Sequence, residues 1–254
     1  MISSQTIFLI SAGCIFGGAV LGLLLRDLLP EHHLRDNSKD TVKVVAGMIA
    51  TLAALVLGLL VASAKSSFDA TDTAVTQNAA KIILMDRLLA AYGPETKEIR
   101  EQFRRSVAAG IEMFWPEEEN EGSGMTKFEQ ANAMEMIQAK LHGLAPATDT
   151  QRQLLSQTQQ LSGDLVQARW LLISQAQNGL QMPLLVVVLF WLTMLHISFG
   201  LFAPRNATVV TVLLISALSV SCAVFIILEM NHPLQGRIKV SSAPMRKALE
   251  LMGK

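Results

Sequence analysis

The stretch that decides the fold is Val42–Tyr92, VKVVAGMIATLAALVLGLLVASAKSSFDATDTAVTQNAAKIILMDRLLAAY. Its first half, Val42–Ala64, is apolar apart from Lys43, Thr51 and Ser63. About 20 such residues cross a bilayer as one helix. The second half turns polar at Lys65 but keeps a stripe. Phe68, Val75, Ile82 and Leu89 recur every seven residues, with Ala79, Met85 and Tyr92 between them. A narrow apolar stripe of that period is a coiled-coil pattern. No Gly or Pro separates the stripe from the span, so one helix is predicted from the membrane to Ala91 or Tyr92. Fifty residues at 1.5 Å each reach about 75 Å, far beyond a hydrocarbon core of ~30 Å. Gly93 and Pro94 then stop the helix.

Working outward, three more stretches are long enough to span: Thr6–Leu29, Pro183–Ala203 and Asn206–Leu228. The chain of 254 residues is 51% apolar and 17% charged, with a mean hydropathy of +0.38. Soluble domains carry about 25% charged residues. Lys and Arg balance Asp and Glu at 21 each, which argues against a basic nucleic-acid binder. The fold class is therefore an all-α integral membrane protein. Residues 1–64 form a transmembrane hairpin, 65–181 an extramembrane helical bundle, 182–229 a second hairpin and 230–254 a tail. Cys14 and Cys222 lie in apolar runs without a CxxC partner and read as small packing residues, not a disulfide or a zinc site. Met1–Ile7 carries no Lys or Arg, so the first apolar run is expected as a retained span rather than a signal peptide.

An even number of spans puts both termini and the insert on one side. Lys and Arg near the membrane come to five on each side, so the positive-inside rule does not decide which. The short opposite loops and the uncharged start favour a cytoplasmic insert and termini, in a bacterial inner membrane.

The insert reads as helical. A second helix, from about Glu95, carries Ile99, Phe103, Val107 and Ile111, then Phe114 and Trp115, and ends at Pro116. A third runs from about Met125 to His142. Thr148 or Asp149 caps a fourth, whose apolar side is Leu154, Leu161, Leu165, Ala168 and Leu172. That helix is expected to run on towards span three, with a kink at Pro183. Glu117, Glu118, Glu119 and Glu121 form a solvated acidic loop without the donor spacing of an EF-hand.

Several residues are functional candidates. In span one, Gly13/Gly17 and Gly18/Gly22 are small-xxx-small pairs that let helices approach closely, with Ala46, Gly47, Ala50, Ala54 and Gly58 of span two as the expected matching face. In span four, Thr208, Thr211 and Ser219 lie roughly on one side with Cys222. Hydroxyls there either face a water-filled path or back-bond to helix carbonyls. His196 is ionisable inside span three, and faces either a functional path or a neighbouring helix. His32 and His33 lack a third metal ligand. No phosphate loop, dinucleotide loop, HExxH or GxSxG motif is present, so no enzyme and no cofactor are expected.

Distinct motifs also stand along the chain: Gly58–Ala64 with Phe68-Asp69, Met85-Asp86-Arg87, Leu89–Glu95, Glu229-Met230-Asn231-His232-Pro233 with Gly236, and Val240–Arg246 with Ala248-Leu249. Together they resemble the bestrophin-like family of membrane proteins over nearly the whole chain. The resemblance implies kinship to bestrophins, pentameric ion channels with a cytoplasmic helical region. Read physically, Asp69, Asp86 and Arg87 sit on the helix leaving span two. Asp86 and Arg87 are adjacent, so they point apart and reach other helices or subunits. Glu229 ends span four, where Arg237 or Lys239 folds back to it through a turn at Pro233 and Gly236. Ser241 or Ser242 caps a last helix, Pro244–Met252. The tail is either a clamp on the bundle or a gating latch.

The expectation is a homo-oligomer in the lipid bilayer, pentameric by the resemblance, that passes ions through a pore between subunits. Span two lines that pore, with Thr51, Leu52, Leu55 and Ser63 as pore or gate residues and an apolar face that gates by wetting. The rival is a non-conducting sensor or scaffold whose insert binds a partner.

Overall fold

The computed structural model describes residues 4–28, 36–116, 127–177, 182–234 and 236–253. Among them the chain is all-helical: α1 (Ser4–Leu28), α2 (Asp36–Tyr92), a 3-10 turn (Pro94–Thr96), α3 (Lys97–Phe114), α4 (Lys127–His142), α5 (Asp149–Gln177), α6 (Met182–Phe202), α7 (Ala207–Met230) and α8 (Ala243–Leu251). Four helices, α1, α2, α6 and α7, are long and apolar enough to cross a membrane. Helices α3 to α5 lie between the second and third of these. The expected long helix is present, with α2 continuous for 57 residues. It begins six residues before Val42, because hydropathy marks the part of a helix that suits lipid and not its ends. Its polar start holds the Asp40–Lys43 pair at 3.2 Å, one turn apart.

The chain divides into two compact units. One comprises residues 1–67 and 179–231, the other 68–178 and 232–254. Helix α2 contributes to both.

The first unit packs α1 against α6 and α7. Its core joins Ile15, Val188, Leu192, Leu195, Ala217 and Ile227 to a stripe on α2 of three alanines and a leucine, Ala46, Ala53, Leu60 and Ala64. The α1–α6 approach is set by glycine. A Cβ on Gly22 would lie 2.1 Å from the Ile197 carbonyl oxygen, and one on Gly200 2.1 Å from that of Ala19. Gly18 sits against Thr193. The matching face expected on span two is thus on α6 instead. A Cβ on Gly13, Gly17, Gly47 or Gly58 would meet no atom within 4 Å. A glycine pair makes a groove but does not say which helix fills it. Cys14 and Cys222, read as packing residues, are both exposed. At the ends of α1 and α6, Arg26 donates to the Ala203 carbonyl at 2.6 Å and Arg205 to that of Leu23 at 2.6 Å. Arg26 thus satisfies a carbonyl just past the end of α6, which has no intrahelical donor, and both arginines place a cation near a helix C-terminus. Asn206, expected inside span four, is its N-cap, its Oδ1 accepting from the Val209 amide at 2.8 Å.

The second unit is built on the heptad stripe. Val75, Ala79, Ile82, Met85, Leu89 and Tyr92 are all buried, joined by Ile99, Phe103, Val107 and Ile111 of α3. Gly93 makes the reversal, at φ 141°. Thr96 closes it, its hydroxyl donating to the Leu89 carbonyl at 2.5 Å. Thr148 caps α5, its Oγ1 accepting from the Gln151 amide at 3.1 Å. Gln151 in turn donates to the Tyr92 carbonyl at 3.0 Å. The tail belongs to this core: Leu234, Val240, Ala248 and Met252 are buried in it. His32, His33, the acidic run Glu117–Glu121, the first residues expected in the third helix and the α5–α6 junction lie outside the described residues.

Candidate functional site: the outer face of α2 and the clamp at its end

Helix α2 carries the expected pore residues. At about 100° per residue, the packed stripe Ala46, Ala53, Leu60 and Ala64 takes one side of α2. Thr51, Leu55 and Gly58 fall opposite it, and Leu52 and Ser63 about a quarter turn to the flank. All five are exposed in the single chain. The best 18-residue window of α2 has a mean hydropathy of 2.7, against 2.3, 2.3 and 2.6 for α1, α6 and α7. Only 17% of that window is buried within the chain, against 33%, 33% and 28% for the others. The most apolar span is thus the least covered.

The hydroxyls of α7 do not converge on a shared centre. Thr208, Thr211 and Ser219 are exposed. Thr211 donates to the Ala207 carbonyl at 2.9 Å and Ser219 to that of Ile215 at 2.8 Å. Thr51 does the same to Gly47 at 2.9 Å. His196 is buried, 3% exposed. Its Nδ1 lies 2.8 Å from the Leu192 carbonyl and its Nε2 3.3 Å from the Ser216 hydroxyl on α7. It therefore links α6 to α7, facing a neighbouring helix and not an open path.

At the other end of α2 the side chains converge. Asp86 is 2% exposed. Arg100 of α3 grips it with two parallel hydrogen bonds, Nε to Oδ1 at 2.9 Å and Nη2 to Oδ2 at 3.0 Å. The Gly253 amide of the tail also donates to Oδ2, at 3.2 Å. Beside it, exposed Arg87 reaches the Leu251 carbonyl at 3.5 Å. Burial pushes the Asp86 carboxyl up, but the Arg100 hydrogen bond, the Gly253 amide and the charges of Arg100 and Arg87 outweigh it and hold it below its ordinary value. Its hydrogen bond to Asp86 raises the Arg100 guanidinium, over the opposing effect of burial. The expected divergence of Asp86 and Arg87 is found, one buried and one exposed, and both hold the tail.

A second anchor is Trp115, 2% exposed, whose Nε1 donates to the Val240 carbonyl at 2.8 Å. Pro233 is buried and its carbonyl accepts from the Val240 amide at 2.8 Å, while the Gly236 amide donates to His232 at 2.9 Å. The tail turn expected at Pro233 and Gly236 therefore forms. Arg237 is exposed beyond it, Glu229 is buried in the last turn of α7 and Asp69 is exposed on α2. Ser242 precedes α8 without a capping bond from its side chain. It accepts instead from Arg246 Nε at 3.0 Å, and Ser241 accepts from the Ala243 amide at 3.2 Å.

Arg100, Thr96 and Gln151 carry more of the site than the sequence reading assigned them. One signal was available: Asp86 and Arg100 stand seven residues either side of Gly93, so a helical hairpin brings them level. Among the described residues no three His, Cys, Asp or Glu gather as a metal site.

Among curated proteins nothing matches the chain. One family model does, that of the bestrophin-like domain, over residues 13–245. With four spans, a helical insert and that match over most of its length, the chain belongs to the bestrophin-like family of helical membrane proteins.

Proposed function

We propose that the protein is a homo-oligomer, pentameric by its family resemblance, that passively conducts ions through a pore between subunits lined by α2. The observation that carries this reading is the mismatch on α2: the most apolar span has the smallest share buried in its own chain. Its outer face also holds Gly47, Thr51 and Gly58, small or hydroxyl-bearing residues that let a second helix approach. A ring of such faces encloses an apolar constriction at Leu52 and Leu55, which opens by wetting. In this reading the chain catalyses no reaction, and its insert and termini face the cytoplasm of a bacterial cell.

A second reading has its own support. Thr51, Thr211 and Ser219 all bond to their own helix carbonyls, as hydroxyls facing lipid do. A sensor or scaffold that conducts nothing, and whose insert binds a partner, accommodates that. Ion flux into liposomes holding the purified protein separates the two. The channel reading expects flux over empty liposomes, increased by Leu52→Ala and by Leu55→Ala. Folded, inserted protein that passes no ions across pH, calcium and voltage sinks it in favour of the scaffold.

A further inference from the structure

The second unit contains a cleft of about 90 Å³ between α2, α3 and α5. A water needs about 10–15 Å³ of such space and two to four polar partners. The cleft has room for several waters but offers few partners, because its walls include Val75, Ile82, Phe103, Val107, Leu165 and Leu172. Poorly held water is displaced favourably by an apolar group.

Gly110, on α3, forms part of the wall and contributes no side chain to it. A glycine inside a helix costs about 1 kcal/mol relative to alanine. Close packing does not demand one here, since a Cβ at Gly110 would meet no atom within 4 Å. Nor does backbone conformation, since Gly110 lies within α3 and its φ is not positive. Its effect is to leave the cleft open. Met134 and Met245, adaptable side chains, complete the rim.

Charge gives the ligand its class. Arg169 is the single charged side chain among the described lining residues, with Asn78 and Ser106 as polar neighbours. Its Nη2 lies 3.9 Å from the Met113 sulfur. A guanidinium has five N–H donors, so it can receive an acidic head beside the contacts it already makes. We propose that this cleft binds a small anionic amphiphile, its single apolar chain held between α2, α3 and α5 and its acidic head at Arg169. The site stands independently of whether the protein conducts.

The test uses the full chain with Trp170→Phe and Trp191→Phe, which leaves Trp115, in the cleft wall, as the fluorophore. Bromine quenches tryptophan on contact, so 8-bromooctanoate is the probe and 8-bromooctanol its neutral counterpart. The acid is expected to quench Trp115 saturably. Arg169→Gln should weaken the acid about tenfold and the alcohol less than twofold, as loss of one charged hydrogen-bond partner does. Gly110→Leu, which fills the cleft, should abolish the saturable part. Quenching that rises linearly and equally in Gly110→Leu is partition into the detergent and overturns the site. An acid and an alcohol that saturate alike overturn the anionic class, whatever the fold of the Gly110→Leu chain.

Discussion

The two halves of α2 solve opposite problems with one helix. Up to Ala64 it packs mainly through alanines, with Ala46, Ala53 and Ala64 buried beside Leu60 while Leu52, Leu55 and Leu59 are exposed. From Val75 onward the large residues of the heptad stripe turn inward, and Met85 and Leu89 are almost fully buried. In lipid a leucine gains nothing by leaving the tails, so close backbone approach through small residues decides the packing. In water the hydrophobic effect decides, and the apolar stripe is covered. Polar groups differ likewise. The first half satisfies Thr51 with its own backbone, whereas the second buries Asp86 only because Arg100 and Gly253 meet it.

Mutations that ignore this difference should have the largest effects. Phe103→Ala, at a side chain with no exposure, should destabilise the second unit by about 3–5 kcal/mol, read from thermal melts in detergent by the Trp115 signal of a chain that also carries Trp170→Phe and Trp191→Phe. Asp86→Ala should cost about 2–3 kcal/mol, below the 3–5 of a fully buried pair because Arg100 is 25% exposed. The same clamp predicts a pH dependence. The folded Asp86 carboxyl lies below its ordinary value, so its stabilisation is full above the unfolded value and drains away as pH falls through the lowered folded one. Tail release, followed by protease cleavage near Gly253, should show that dependence, and Asp86→Asn should erase it. In the first unit the sensitive positions are glycines. Gly22→Ala drives a Cβ to 2.1 Å from the Ile197 oxygen and should cost about 1–3 kcal/mol, whereas Gly47→Ala, with nothing within 4 Å, should stay within about 0.5 kcal/mol. Leu55→Ala should be the quietest in stability, since that side chain is 61% exposed. A large loss of stability at Leu55 would place it in a tight interface rather than a pore wall.

Much of this was legible beforehand. The spans, the heptad stripe, the stop at Gly93-Pro94 and the inward face of α3 all follow from hydropathy and period, because those patterns record burial directly. Partner choice did not follow. Gly18 and Gly22 announce a groove, but α6 fills it because Gly200 and Thr193 offer complementary space, and local sequence carries no record of that match. The Asp86 clamp was half legible: the carboxylate stood out, while Arg100 was one of several arginines on α3 until the hairpin made it level with Asp86. The α2 face and the α7 hydroxyls are least legible, since they are exposed in the single chain and no contact within it decides what they meet.

The path of the tail also bears on how the protein is made. Trp115 and Val240 are 125 residues apart, yet the indole of one is hydrogen-bonded to the carbonyl of the other. At 5–20 residues per second, a ribosome needs about 6–25 s to travel that distance. Through that interval two further spans enter the membrane while the bundle lacks Val240, Ala248 and Met252 from its core. Until its tail emerges, a nascent bundle therefore exposes the apolar surface that those residues cover. Premature termination in the last helix would leave an inserted protein with an exposed apolar seam, which proteolytic quality control can recognise.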